Sequence, residues 1–432
     1  MYGVPQIAGR RFRRIRTNTF MMPLKKANKK KQGLQKEKPL RKKTATVKKV
    51  LVKKKVTSRA ERSRNILRVV RAASKRIAEK RPHQLERHES NPIIEPREGN
   101  YWEMKATFNP GAIYADHRVH LLYRAIGGDD VSVLGYAASD DGVSFADRSL
   151  EPAYRPFTIK STTPKEEQKM LSPAYFSGGG WNGGCEDPRL TLIDDTVYLI
   201  YTAFDGWGSI RIALSSIAIK DFLNKQWKWR KPTMISPPGE VHKNWVLFPE
   251  KINGKFAILH SISPEVLIDY FDSMDDFNDD EKAITSTYSR VSRTGAWDSW
   301  IRGAGPPPLR TELGWLLFYH AMDLRDPNRY KLGAMILDKD DPTKVLYRSR
   351  TPILEPDFDY ENHGFKSGVV YSCGAIIKDG DLYVYYGGGD SVVCVAIANL
   401  ENFLHELKMY GAPKLDKKEP KNPVRTKTNG RS

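Results

Sequence analysis

After about residue 108, apolar and polar positions alternate in a phrase that recurs along the chain. A short apolar run meets a polar turn, a second run ends in aromatics, and a third holds small and apolar residues. The first copy reads 111–114, a turn at Asp116-His117-Arg118, then 119–123 and 133–139. The second begins at Arg189, turns at Asp194-Asp195, and continues through 197–201 and 210–215. The third is 246–252, Asn253-Gly254, then 256–260. The fourth is 308–311, a turn at Glu312-Leu313-Gly314, then 315–320 and 331–337. The last is 374–378, Asp379-Gly380-Asp381, then 382–386 and 392–396. Asn-Gly and Asp-Gly are turn pairs that hairpins select because they tolerate positive φ. Five copies at roughly 60-residue spacing, all strand and turn, predict an all-β fold, a five-bladed β-propeller over 91–412. A sandwich, where strands are also regularly spaced, is the alternative. In a propeller the innermost strands line one central pocket, so functional residues are expected where each copy starts.

The pattern is absent upstream. Residues 1–57 are mostly Lys, Arg, Thr, Gln and small residues, with too little apolar surface to offset ordering entropy, which predicts a basic disordered arm. Ser58-Arg59-Ala60-Glu61 has the form of a capping box. Ile66, Val70, Ala73 and Ile77 follow at helical spacing, so a short basic amphipathic helix is expected over about 59–80, within a 58–90 linker. Residues 413–432 form a basic tail. Charge sharpens this division. Residues 1–90 hold 30 Lys and Arg against 5 Asp and Glu, a net +25, which leaves −5 for the rest of a chain whose total is +20. The body is thus mildly acidic, and any polyanion contact, to RNA or to an anionic membrane, belongs to the arm. A solvated arm with no fixed partner fits the same composition. No run of 18 apolar residues suggests a transmembrane helix, and the N-terminus lacks the apolar core of a signal peptide. Cys185, Cys373 and Cys394 show no metal spacing, which predicts reduced, buried thiols in a cytoplasmic protein.

The densest chemistry lies in Gly183-Gly184-Cys185-Glu186-Asp187-Pro188-Arg189-Leu190. Pro188 fixes its own φ and biases Asp187 toward extended backbone, in which Glu186 and Asp187 would point to opposite faces. One of them could then serve as an acid, kept protonated near neutral pH by its surroundings. A plain turn with an Asp187–Arg189 salt bridge gives the same eight residues. Other copies start with comparable groups. Asn109 precedes the first, and Arg124 closes its second strand. His242-Lys243-Asn244-Trp245 precedes the third. Arg302 precedes the fourth, which reaches His320 and then Tyr330-Lys331. Glu361 precedes the last, which runs to Gly387-Gly388-Gly389-Asp390. Each has a bland reading as a core histidine, a solvated lysine or a turn carboxylate. Recurrence at equivalent places favours a shared site, with basic groups holding an anion beside an acid. Trp181, Trp207 and Trp245 are candidate sugar-stacking faces, although tryptophan in a β-fold is usually core.

These phrases, taken in order over about 90–412, resemble glycoside hydrolase family 130, the mannoside phosphorylases and their relatives. The ones that carry the resemblance are Asn91-Pro92-Ile93-Ile94, Asn109-Pro110-Gly111-Ala112, Leu122-Tyr123-Arg124-Ala125, Ser139-Asp140-Asp141-Gly142 and Gly184-Cys185-Glu186-Asp187-Pro188-Arg189. Residues 244–250, Gly303-Ala304-Gly305-Pro306-Pro307-Pro308, Tyr319-His320 and Tyr385-Tyr386-Gly387-Gly388-Gly389-Asp390 complete it. The resemblance implies a five-bladed propeller and inverting phosphorolysis of β-mannosides to α-mannose 1-phosphate. Inorganic phosphate would be co-substrate, with no other cofactor and no metal. It implies Asp187 as general acid, and Lys243, Asn244 and His320 as phosphate ligands. A further basic phosphate ligand precedes the family's Gly-x-Gly-Pro-Pro-like run; here Arg302 is near, and Ile301 competes for the aligned position. Asn109, Arg124, Arg189, Tyr330, Glu361 and Asp390 match positions around the sugar or the phosphate. Phosphate replaces the activated water of an inverting glycosidase, so one acid suffices. A hydrolase of the same fold that uses water, and a non-catalytic glycan-binding propeller, are the alternatives.

Overall fold

The computed structural model describes residues 85–156, 180, 182–206, 209–278, 282–286 and 295–411. The expected arm, the helix at 59–80 and the tail lie outside the described residues. Strand dominates. β1 (Glu86–Arg87) lies within the stretch read above as linker. A first antiparallel meander follows, with β2 (Ala106–Ala115), β3 (Arg118–Ile126), β4 (Ser132–Ser139) and β5 (Asp147–Arg148). The second has β6 (Gly184–Ile193), β7 (Thr196–Phe204), β8 (Ile210–Ala218) and β9 (Thr233–Met234). One parallel pairing, Ser132 with Gly184, joins these two into a single sheet.

The third meander is short: β10 (Val246–Leu247), β11 (Phe256–Ser261) and β12 (Leu267–Phe271). The fourth comprises β13 (Trp300–Ala304), β14 (Leu309–Thr311), β15 (Gly314–Asp323), β16 (Asp326–Leu337) and β17 (Val345–Arg348). The fifth is β18 (Val370–Lys378), β19 (Asp381–Gly388) and β20 (Val392–Asn399), and β1 adds to its outer edge against β20. A terminal helix, Leu400–Tyr410, begins at Asn399, whose side chain accepts the backbone N–H of Asn402 at 3.1 Å. The helix buries Phe403, Leu404 and Leu407 against the sheets.

The turns behave as the sequence predicts. Asp116, Asp194, Asn253 and Asp379 all take positive φ between inner and second strands. The apolar residues of both strand faces collect into five principal clusters, each between two meanders. First and second share Leu122, Leu134, Leu190 and Leu199. Second and third share Ile200, Ile212, Trp245 and Ile258. Third and fourth share Leu259, Val266, Trp315 and Leu317. Fourth and fifth share Leu316, Phe318, Val384 and Tyr386. The remaining one joins fifth to first through Tyr385, Val393, Val119 and Leu121. Burying both faces of each sheet explains why the second strands read as nearly unbroken apolar runs. Trp245, read as a possible sugar platform, is fully buried in one of these clusters; Trp181 and Trp207 lie outside the described residues.

A buried triad recurs on the second strands. Tyr123 donates to Glu103 at 2.8 Å and accepts from Arg148 at 2.9 Å. Tyr319 stands in the same relation to Asp298 and Arg348. In the fifth meander Tyr386 donates to Glu361 at 2.8 Å, and Arg87 of β1 donates to Glu361 at 2.6 Å. Glu361 also accepts the backbone N–H groups of Asp357 and Phe358. The Glu361 carboxylate, expected around the sugar or the phosphate, is thus engaged in holding β1 to the last meander.

Candidate active site

The residues that start the copies owe their placement to interruptions in the strands. Between β2 and β3 the register slips at Asn109-Pro110, and between β6 and β7 it slips in the same way at Asp187-Pro188. Between β13 and β15 it slips at Arg302. A bulge bends a strand and re-aims the extra residue's side chain. Asn109 and Asp187 have φ of 47° and 52°, and Asn244 and Asp390 have 67° and 51°. Such values are uncommon for residues other than glycine and collect at functional sites. The inner strands also approach closely: a Cβ on Gly111 would lie 2.6 Å from the Pro188 carbonyl oxygen.

The bulge overturns one expectation. Asp187 is not extended, so it and Glu186 do not face opposite sides. Arg124 touches both, with one Nη 3.0 Å from Glu186 Oε1 and the other 3.4 Å from Asp187 Oδ1. Asn109 Nδ2 donates to the same Asp187 oxygen at 2.8 Å, and Lys243 Nζ donates to Glu186 Oε2 at 2.8 Å. Asp187 Oδ2 accepts no hydrogen bond among the described residues. Burial pushes the Asp187 carboxyl up, but Arg124, Lys243, Arg189 and the Asn109 hydrogen bond outweigh it and hold it at about 2. In this state it is ionised, not protonated as the sequence reading expects of an acid. Asp390 is the opposite case. Burial raises it to about 6 against the pull of Lys366 and Arg124, with Asp187 adding to the rise.

Arg189 forms no salt bridge with the Asp187 carboxylate among the described residues. It is buried and donates to the backbone carbonyls of Asp187 and Gly305 at 2.8 and 2.9 Å and to Asn244 Oδ1 at 2.8 Å. It ties the second, third and fourth meanders together. Asn244 also accepts from the Tyr371 hydroxyl and donates to the Arg302 carbonyl at 2.7 Å. Arg302 donates to the Tyr330 hydroxyl at 3.0 Å and lies over the Trp300 ring. His320 stacks on Tyr371 at 3.8 Å. Its Nε2 accepts the Ser372 N–H at 3.0 Å, which puts the proton on Nδ1, and that buried atom has no partner among the described residues. Burial, then Arg189, lowers His320 to about 3. It is a neutral donor here, where the sequence reading counts it among the basic groups.

Sequence reasoning missed Tyr371, because the fifth copy was started at Gly374 and β18 begins four residues earlier. It missed Lys366, which lies 4.7 Å above the Tyr330 ring. It also set Glu186 aside. Arg124 and His320, by contrast, directly follow the triad tyrosines Tyr123 and Tyr319, an equivalence that the repeat already contains.

The bulge thus brings paired carboxylates together with cations from neighbouring meanders, and these residues form the candidate site. The model of glycoside hydrolase family 130, described as beta-1,4-mannooligosaccharide phosphorylase, matches residues 84–409, and the chain belongs to that family. Among similar proteins, a 1,2-beta-oligomannan phosphorylase of Thermoanaerobacter sp. (strain X514) is 38% identical over 74% of this chain and 98% of its own length. A beta-1,2-mannobiose phosphorylase of the same organism is 35% identical over 74% and 98%. Among solved structures, the beta-1,2-mannobiose phosphorylase of Listeria innocua in complex with beta-1,2-mannobiose is 26% identical, with a TM-score of 0.56, over 75% of this chain and 99% of that one.

Proposed function

We propose that this protein phosphorolyses β-1,2-linked mannosides, with Asp187 as the acid and inorganic phosphate as the nucleophile. The observation that carries the reading is the Asp187 carboxylate. One oxygen is fixed by Asn109 and Arg124, the other has no partner among the described residues, and Lys243 stands on the adjoining Glu186. The β-1,2 linkage is supported by the relatives at 35% identity or more, all of which carry that linkage in their names. The β-1,4 phosphorylase of Ruminococcus albus is 30% identical over a shorter stretch. A five-bladed propeller is the architecture proposed for 85–411. Five meanders and five principal cores, the fifth joining last to first, support it.

The cleft lined by Lys243, Asn244 and Arg302 suits a phosphate dianion, and its Lys243 also bonds Glu186 and acts on the Asp187 carboxyl. Binding there adds negative charge beside Asp187 and offsets the cations that hold its carboxyl at about 2. The carboxyl then gains affinity for a proton when the nucleophile arrives. Phosphate attacks the anomeric carbon from the face opposite the leaving oxygen. The C–O bond to the acceptor breaks, and the leaving oxygen takes the proton from Asp187, directly or through a substrate hydroxyl. The product is α-mannose 1-phosphate, inverted from the β-linkage. On this reading Asp390, buried and without a hydrogen-bond partner among the described residues, would bind a sugar hydroxyl. Product analysis on β-1,2-mannobiose tests the reading. Mannose 1-phosphate is expected only when phosphate is present; free mannose formed at an equal rate without phosphate overturns it in favour of hydrolysis.

A further inference from the structure

The third meander ends differently from the other four. Each of those closes with a short outer strand laid antiparallel on the one before it: β5 on β4, β9 on β8, β17 on β16 and β1 on β20. The third stops at β12, whose outer side pairs with no strand among the described residues. Burial records the difference. β4 is buried along its whole length and β8 over most of it, whereas no residue of β12 is buried and Tyr270 is exposed. Its side chains still reach the cores on either side, Ile268 that shared with the fourth meander and Phe271 that shared with the second. What lies bare is the hydrogen-bonding edge, which native proteins cover or guard with charge.

Charge decides what this edge accepts. Residues 265–281 hold eight Asp and Glu, with Asp269 in the middle of β12, and no Lys or Arg. Exposed cations meet two of them, Lys255 at 3.3 Å from Asp272 and Arg230 at 2.8 Å from Asp275. A second copy of β12 laid on this edge would set carboxylates against carboxylates, and a strand carrying Lys and Arg would not.

The sequence holds such a strand within reach. The described residues end at Gly411, where a Cβ would lie 2.8 Å from the Arg348 carbonyl oxygen of β17. β17 and β12 border one core, on which Val345 and Ile268 both pack. Residues 412–432 follow, with seven Lys and Arg against two Asp and Glu. Within them Val424-Arg425-Thr426-Lys427-Thr428 alternates β-branched and basic side chains between Pro423 and Asn429-Gly430, the pattern of a short strand. It matches the 5 residues of β12 in length. The intervening residues 412–423 can span about 40 Å, and sheets that share a core lie only about 10 Å apart.

We propose that residues 424–428 add to β12 of the same chain as the outer strand of the third meander, antiparallel as in the other four. This does not depend on which reaction the candidate site performs. Its test is amide hydrogen exchange on the full chain, read over 267–271, with unfolding temperature to select folded variants. Thr426→Pro and Lys427→Pro together remove an inward N–H in either register, because successive amides face opposite sides. They should speed exchange of β12 about tenfold or more, while Lys418→Pro in the linker should not. Asp269→Lys should speed it too, and Arg425→Glu with Lys427→Glu should restore protection in that variant. Carbodiimide cross-linking of a mixture of chains in two nitrogen isotopes gives the source of the strand: links from the tail to 265–272 should stay within one isotope. A double-proline variant that exchanges like wild type, a charge swap without rescue, or links that cross isotopes or fail to form overturns the proposal.

Discussion

The wall of groups that the first two meanders bring to the candidate site and the wall that the third and fourth bring meet at the Lys243–Glu186 contact in different conditions. On the first, the charged groups are engaged with one another: Arg124 reaches two carboxylates and Ser132, and Asn109 and Arg124 hold one oxygen of Asp187, while Asn109 Oδ1 and Thr202 Oγ1 have no partner among the described residues. On the second, buried ring nitrogens of His260 and His320 have no hydrogen-bond partner among the described residues. The charge-paired wall is already arranged for catalysis, so its cost of organisation was met during folding. On the proposed reading, the second wall is completed by the arriving phosphate. The proposed acid is therefore fixed by the fold, and the proposed nucleophile site is finished by its ligand.

The largest expected effect comes from breaking the charge-paired wall at its reactive atom. Asp187→Asn preserves shape and removes the proton, and should lower the rate of mannose 1-phosphate formation by about 10²–10⁴-fold; a variant with full activity would show that the acid lies elsewhere. Next is Arg124→Met. It leaves Glu186 and Asp187 buried without their shared cation, and should cost about 3–5 kcal/mol in denaturant unfolding. A loss below about 1 kcal/mol would mean that the wall is not held by charge. The smallest effect probes a carboxyl that neither wall pairs. Asp390 is held at about 6, above the usual carboxylate range, so its favourable contribution is present below the unfolded value and is lost as pH rises through about 6. Asp390→Asn should therefore be more stable than wild type at pH 8 by up to about 3 kcal/mol, and equal to it near pH 4. An equal offset at both pH values would show that this carboxyl does not titrate as its burial implies.

Much of this was legible in the sequence because strands with two buried faces and two-residue turns leave a local imprint. Asp194-Asp195 and Asn253-Gly254 sit where a turn needs positive φ, and the flanking apolar runs mark the paired strands. The candidate residues were legible through the repeat, which set Asn109, Asp187, Arg302 and His320 at related places. What was not legible depends on distant partners. Pro188 biases Asp187 toward extended backbone, yet the slip against β7 gives it φ of 52°. Arg189 reads as an ion-pair partner, yet it is used by carbonyls of residues far along the chain. Glu361 reads as a loop residue near a sugar, and its partner Arg87 lies in a stretch where the repeat has not begun. The terminal helix Leu400–Tyr410 was missed because its apolar residues follow directly on the last strand.

The pairing of β1 with β20 sets a timetable for a chain that a ribosome makes from its N-terminus. Glu86 and Arg87 emerge early, but their partners Ile397 and Ala396 are among the last residues of the body to be translated. A pairing across such a separation has to await loop closure before it is rewarded. Until then the nascent protein holds a basic guanidinium with no Glu361 and, once β20 has formed, a last sheet with an open edge. Edges of that kind recruit neighbouring copies. The finished protein closes this one with a strand of two residues, so a translation product lacking Glu86 and Arg87 would keep every meander and still display the edge.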